Sequence, residues 1–163
     1  MSKTLWLLRH GDAEAHGSRA DFDRALTSRG ERQARAAGRA LRQLGVTFDF
    51  VFASPRVRAL ETARLACAEL GIEPIVHQPL SGGFSLDDVK ELIAATRDGQ
   101  ALLLVGHEPD MSGLVLALQG GHVAMKKGGL ASVRIEGSAG ELAALLRPRE
   151  IELVAGEDQL VEP

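Results

Sequence analysis

A chain of 163 residues, 45% hydrophobic and 25% charged, is long enough to bury a core and too apolar to be a disordered segment. A formal charge of −3, aromatics at 4% and no tyrosine speak against a nucleic-acid binder, which uses a basic face and stacking rings. The single cysteine permits no intramolecular disulfide, and no stretch has the apolar length of a signal or a membrane span, so the expectation is a soluble, cytoplasmic protein without membrane contact.

The first strand-like run, "TLWLL" (4–8), is apolar at successive positions, as in a parallel strand covered on both faces. It leads straight into Arg9, His10 and Gly11, residue types that a buried strand end does not want. A helix is predicted from Thr27 or Ser28, with Ser28 and Glu31 as a capping box. Ala34, Ala37, Gly38, Leu41 and Leu44 form its inner face and Gly45 ends it. Those small side chains let a helix lie close to a sheet. "FDFVFAS" (48–54) is the second strand, followed by a helix with Ser54 as cap and Pro55 as first residue, stopping before Gly71. Within it Cys67 reads as a small buried hydrophobe, since no basic group is patterned around it.

"EPIVH" (73–77) is a weaker strand, and a third helix follows over about 85–98 with Val89, Leu92 and Ile93 inward. "ALLLVGH" (101–107) is the fourth strand, again continuously apolar, and a helix starts at Pro109 carrying Leu114, Val115 and Leu118. After Gly120 and Gly121, "LASVRIEG" and "GELAALLRP" form two strands joined by "EGSAG". The order describes an α/β protein, a three-layer α/β/α sandwich with a mostly parallel central sheet and a C-terminal β-hairpin. No repeat or linker divides it, so 1–163 reads as one domain with a loosely held tail from about residue 156.

Open parallel sheets bind ligands outside the carboxyl ends of their strands. There the sequence places Arg9-His10-Gly11 after the first strand, Ser54-Pro55-Arg56 after the second and Gly106-His107-Glu108 after the fourth. Two histidines and two arginines thus converge on one edge. Arg56 falls in a first helical turn, where a cation is disfavoured by about 0.3–1 kcal/mol unless an anion occupies the helix end, and phosphate fits that position. Arg58 is read instead as solvated and paired with Glu61, its helical neighbour.

"LLRHGDAE", "LTSRGERQA", "SPRVRALETA" and "VGHEPD", in this order, resemble the histidine phosphatase (phosphoglycerate mutase-like) superfamily. The short chain and "DFDRALT" look most like its SixA-type phosphohistidine phosphatases, over about residues 4–118, and "LLRP" resembles the family's last strand. The resemblance implies that His10 is the nucleophile that becomes phosphorylated. It implies further that Arg9 and Arg56 clamp the phosphoryl oxygens, that His107 donates to the same group, and that no metal or other cofactor is needed. His10 must attack as a neutral imidazole, which nearby arginines favour. Gly11, lacking a Cβ, lets the backbone turn and a phosphate approach, and Asp21 is grouped with the substrate-binding residues.

Larger members of that superfamily that hydrolyse phosphate monoesters often carry a glutamate after the third strand that protonates the alkoxide leaving group. Here the corresponding loop reads "QPLSGGFSLDD", with Ser81 or Gly82 at the equivalent place. Glu14 and Asp21 are the remaining candidate acids. An absent acid matters less for phosphohistidine, because imidazole, with a conjugate-acid pKa of about 6.5, leaves far more readily than an alkoxide once its other nitrogen carries a proton. The resulting expectation is a metal-independent phosphatase acting on a phosphohistidine-bearing protein such as a phosphotransfer domain, and releasing inorganic phosphate. The alternatives are a small-ester phosphatase with the same mechanism, or a non-catalytic phosphoprotein-binding module. His16, His77 and His122 form no H-x-H or H-E-x-x-H pattern, which ranks a metal site last. Lys126 and Lys127 are a solvated pair or a contact for an acidic partner.

Overall fold

A computed structural model describes residues 2–156. Its framework is one sheet of six strands: β1 (Lys3–Arg9), β2 (Phe50–Ala53), β3 (Ile75–Val76), β4 (Ala101–Gly106), β5 (Leu130–Glu136) and β6 (Ala139–Leu146). The spatial order is β3-β2-β4-β1-β5-β6, with the first four parallel and β5 and β6 antiparallel. The two continuously apolar strands, β1 and β4, are therefore central neighbours. The four-residue apolar run of β1 alternates between two cores, Leu5 and Leu7 in one and Trp6 and Leu8 in the other. Each such side chain contributes roughly 1.5–3 kcal/mol on full burial.

Helices α1 (Ser28–Gln43), α2 (Val57–Leu70) and α5 (Pro148–Ala155) supply one core, with Ala37, Leu41, Ala59, Ala63 and Ile151. Helices α3 (Leu86–Ala94) and α4 (Asp110–Gln119) supply the other, with Val89, Met111, Leu114 and Val115. The small residues of α1 serve a second purpose beyond the sheet. Gly38 lets α1 press on α2 so closely that a Cβ there would lie 2.4 Å from the Ala66 carbonyl oxygen.

Helix boundaries shift from those predicted. Thr27, not Ser28, caps α1, its hydroxyl accepting from the Gly30 N–H at 3.1 Å. Arg56 occupies the N-cap position of α2, and Ser54 stands two residues ahead, accepting from the Arg56 N–H at 3.2 Å. Ser85 caps α3 in a reciprocal box with Asp88, as an ST-x-x-acid pattern should. The sequence reading lacks α5 altogether: Pro148 opens it at a first-turn position where its missing N–H costs nothing. Of the expected loose tail only Gly156 falls within the described residues. No helix among the described residues is long and apolar enough to cross a membrane.

Candidate active site

Three adjacent strands deliver the site. β1 and β4 stay in register to their ends, Arg9 opposite Gly106, and the His10 N–H then donates to the Gly106 carbonyl at 3.0 Å. On the other side of β4, the Ser54 N–H donates to the Val105 carbonyl at 3.0 Å. The residues that follow the three strands thus sit side by side at the carboxyl edge. The rings of His10 and His107 are 5.2 Å apart, centre to centre, and each residue is 7% exposed.

The protonation pattern of His10 follows from one contact. Its Nδ1 lies 2.7 Å from the Gly11 carbonyl oxygen, which can only accept, so Nδ1 carries the proton. Nε2 retains its lone pair and makes no hydrogen bond among the described residues. Burial, then Arg58, Arg9 and Lys127, push the His10 pKa down to about 4 against the raising effect of the Gly11 bond. His107 is pushed down to about 3, first by burial and then by His10, Arg58 and Arg56. Its Nε2 is 2.7 Å from the Ser54 hydroxyl, while its Nδ1 is buried without a hydrogen-bond partner among the described residues.

The two arginines after β2 exchange the roles read from the sequence. Arg56 does not line the cleft: its Nε donates to the Ser81 carbonyl at 2.7 Å and its NH1 to Asp21 Oδ2 at 2.5 Å. Arg58 is not solvated and not on Glu61, which instead accepts from the Leu26 N–H at 3.4 Å. Arg58 is 6% exposed and joins Arg9, His10, His107 and Glu108 around a cleft of about 210 Å³. The reason is helical geometry. Arg56 precedes the first turn of α2, whereas Arg58 lies one residue into it, on the side facing the ends of β1 and β4.

Asp21 stands behind these cations rather than in the cleft. One carboxylate oxygen accepts from Arg24 Nε at 3.0 Å, the other from Arg56 and, at 3.4 Å, from Arg58 NH2. Burial raises its pKa, but the Arg24 hydrogen bond and the charges of Arg58, Arg24 and Arg56 prevail and hold it below the usual carboxylate range. Glu14 lines the cleft with both oxygens occupied, one by the Ala25 N–H at 2.7 Å and one by Arg19 at 3.0 Å. Neither candidate acid is an uncommitted carboxyl.

Gly11 also departs from expectation. Its N–H is spent on Thr62 Oγ1 at 3.1 Å, and that hydroxyl donates to the Arg58 carbonyl at 2.7 Å. Its bare Cα makes room for backbone, since a Cβ would lie 2.6 Å from the Gly30 carbonyl oxygen. Arg9 is aimed by a chain of contacts that the sequence did not disclose. Its NH1 donates to the Met125 carbonyl at 2.9 Å, the Met125 N–H to Ser112 Oγ at 3.0 Å, and that hydroxyl to Glu108 Oε2 at 2.6 Å. Arg9 Nε and Arg58 Nε, like His107 Nδ1, are buried and have no hydrogen-bond partner among the described residues. Leaving a guanidinium donor unsatisfied costs about 1–3 kcal/mol, so the two Nε groups beside one cleft suit an acceptor-rich ligand, and His107 Nδ1 joins them as a donor in the tautomer where Ser54 donates to Nε2.

Residues 5–81 match the family model of the histidine phosphatase superfamily (branch 1). An uncharacterised protein of Picosynechococcus sp. is 37% identical over 139 residues, covering 80% of this chain and 84% of that protein. The structure of the protein histidine phosphatase SixA complexed with tungstate superposes with a TM-score of 0.82 at 25% identity, covering 91% of this chain and 99% of that one. A 2,3-bisphosphoglycerate-dependent phosphoglycerate mutase of Methylobacterium radiotolerans is 41% identical over 81 residues, 46% of this chain but only 37% of the mutase.

Proposed function

The chain belongs to the histidine phosphatase superfamily, and from that premise we propose that it hydrolyses phosphohistidine on a protein through a phosphorylated His10. His10 Nε2 attacks phosphorus, and the P–N bond to the substrate ring breaks as that ring, protonated on its other nitrogen, leaves as neutral imidazole; water then attacks phosphorus and His10, its proton kept on Nδ1, leaves as neutral imidazole with release of inorganic phosphate. Arg9 and Arg58 neutralise the transferring group, and with Ser54 donating to its Nε2, His107 offers an Nδ1–H to a phosphoryl oxygen. The observation that carries this reading is the tautomer of His10, fixed by Gly11, beside unsatisfied donors of Arg9, Arg58 and His107.

Substrate choice rests on the leaving group. Glu14 and Asp21 are both committed to hydrogen bonds, and an imidazole with a conjugate-acid pKa of about 6.5 needs less acid assistance than an alkoxide. A second reading, hydrolysis of a small phosphate ester, draws on Glu108, a carboxyl that lines the cleft although Ser112 holds both its oxygens. The test compares a phosphohistidine peptide with sugar phosphates, using His10→Ala as control. The expected result is strong preference for the peptide, micromolar inhibition by vanadate or tungstate, and acid-labile phosphate on wild type that His10→Ala lacks. A wide margin in favour of esters, abolished by Glu108→Gln, establishes the second reading instead. Absence of any phosphoenzyme points to the binding module.

A further inference from the structure

We infer that a basic trough beside the catalytic cleft is a docking face for an acidic surface on the protein that carries the phosphohistidine, an assignment that rests on the function proposed above. The trough, about 560 Å³, lies between the start of α1, the loop before β5 and the start of α5. Arg29, Lys126, Lys127, Arg147 and Arg149 line it together with Arg9. Arg9 and Lys127 also line the catalytic cleft, so a partner seated in the trough lies directly against the phosphoryl site.

The charge there is not self-compensated. Asp12 is the acidic lining residue, and it is held by the Thr27 hydroxyl at 2.8 Å and by Lys127 at 3.5 Å. Glu150 takes up Arg147 at 2.8 Å. Arg29, Lys126 and Arg149 are exposed, and their side chains have no hydrogen bond or ion pair among the described residues. In a chain of formal charge −3 this is a segregated positive patch. Arg29 and Arg149 each lie in the first turn of a helix, where a cation opposes the helix dipole, so their placement finds no reason in the stability of the fold.

The arrangement favours a protein surface over a small polyanion. The cleft gathers buried, converging donors, which is how a compact anion is held. The trough instead spreads hydrated cationic tips over three elements, an arrangement that attracts a broad acidic face and acts on encounter and orientation.

The experiment uses two phosphohistidine peptides of equal length, one flanked by Asp and Glu, the other by Asn and Gln. The full chain should use the acidic peptide with a kcat/KM about tenfold higher at low salt, and added salt should erase the difference. The double variant Arg29→Glu, Arg149→Glu should lose that advantage through KM, with kcat and turnover of the neutral peptide unchanged. Lys126→Glu, in a loop, should do the same independently of either helix. Equal use of both peptides by the wild type overturns the docking face and leaves the proposed function standing. Hydrolysis of neither peptide, with sugar phosphates turned over, overturns both. Inorganic polyphosphate bound in a way the same variants abolish, without any acidic-peptide preference, reassigns the trough to a small polyanion and overturns the inference.

Discussion

At the scale of single residues, the site depends on which arginine faces His10. Two guanidinium groups follow β2, and both touch Asp21, yet only Arg58 is buried beside the cleft with an unsatisfied Nε. Charge developing on a phosphoryl group is stabilised by donors already in place, and removing one such donor costs about 10²–10³ in rate. Arg58→Ala should therefore lower kcat/KM by about that factor. Arg56→Ala should lower it less than about tenfold, since its guanidinium is spent on Ser81 and Asp21. Steady-state kinetics on one phosphohistidine peptide checks both variants, and a larger loss at Arg56 refutes the assignment of the pocket. Asp21→Asn, which keeps the shape but drops the charge holding the arginines, should fall between the two.

At the scale of elements, the loop after β1 is fixed from outside itself. Thr62, wholly buried on α2, accepts the Gly11 N–H, and the Gly11 carbonyl in turn sets the His10 ring. Thr62→Val keeps the shape and leaves that N–H unpaired, which should cost about 1–3 kcal/mol in denaturant unfolding, while Thr62→Ser, retaining the hydroxyl, should recover most of it. The sheet and its helices were readable because their signals are local: continuous apolar runs for β1 and β4, small residues along α1, and a Ser-x-x-Asp box on α3. The two histidines of the cleft were readable for the same reason, each standing where an apolar run stops. Contacts between distant segments were not. Gly11 with Gly30, His107 with Ser54 and Arg9 with Met125 depend on packing angles that no spacing rule encodes. Arg56 was favoured over Arg58 because α2 was placed about two residues early, which put Arg56 inside the first helical turn, where an anion offsets a cation, instead of at the N-cap. The missed α5 follows from its eight residues, too few for a helical period to stand out after a strand.

At the scale of the whole molecule, the site makes stability depend on pH. His10 and His107 are buried beside arginines with pKa values pushed down to about 4 and about 3, while an unfolded chain titrates them near 6.5. As pH falls through 6.5 the unfolded state takes up protons that the native state refuses, so the equilibrium shifts toward unfolding until the native values are reached. Each ring contributes a slope that grows from about 0.7 kcal/mol per pH unit at pH 6.5 toward about 1.4 near pH 5, and the two together should remove about 3 kcal/mol between pH 6.5 and pH 5. Asp12 and Asp21, both held below the usual carboxylate range, act in the same direction but only at lower pH. The window from 6.5 to 5 therefore isolates the imidazoles. Unfolding free energies from denaturant titrations should fall steeply across it for the wild type, about half as steeply for His107→Gln, and scarcely at all for the double variant His10→Gln, His107→Gln. Because His10 stays neutral throughout that range, kcat/KM measured where the fold survives should not fall between pH 6.5 and pH 5. A rate that instead halves near pH 6.5, with stability unchanged, means that His10 titrates as if in water and that its burial beside Arg58 and Arg9 does not set its chemistry.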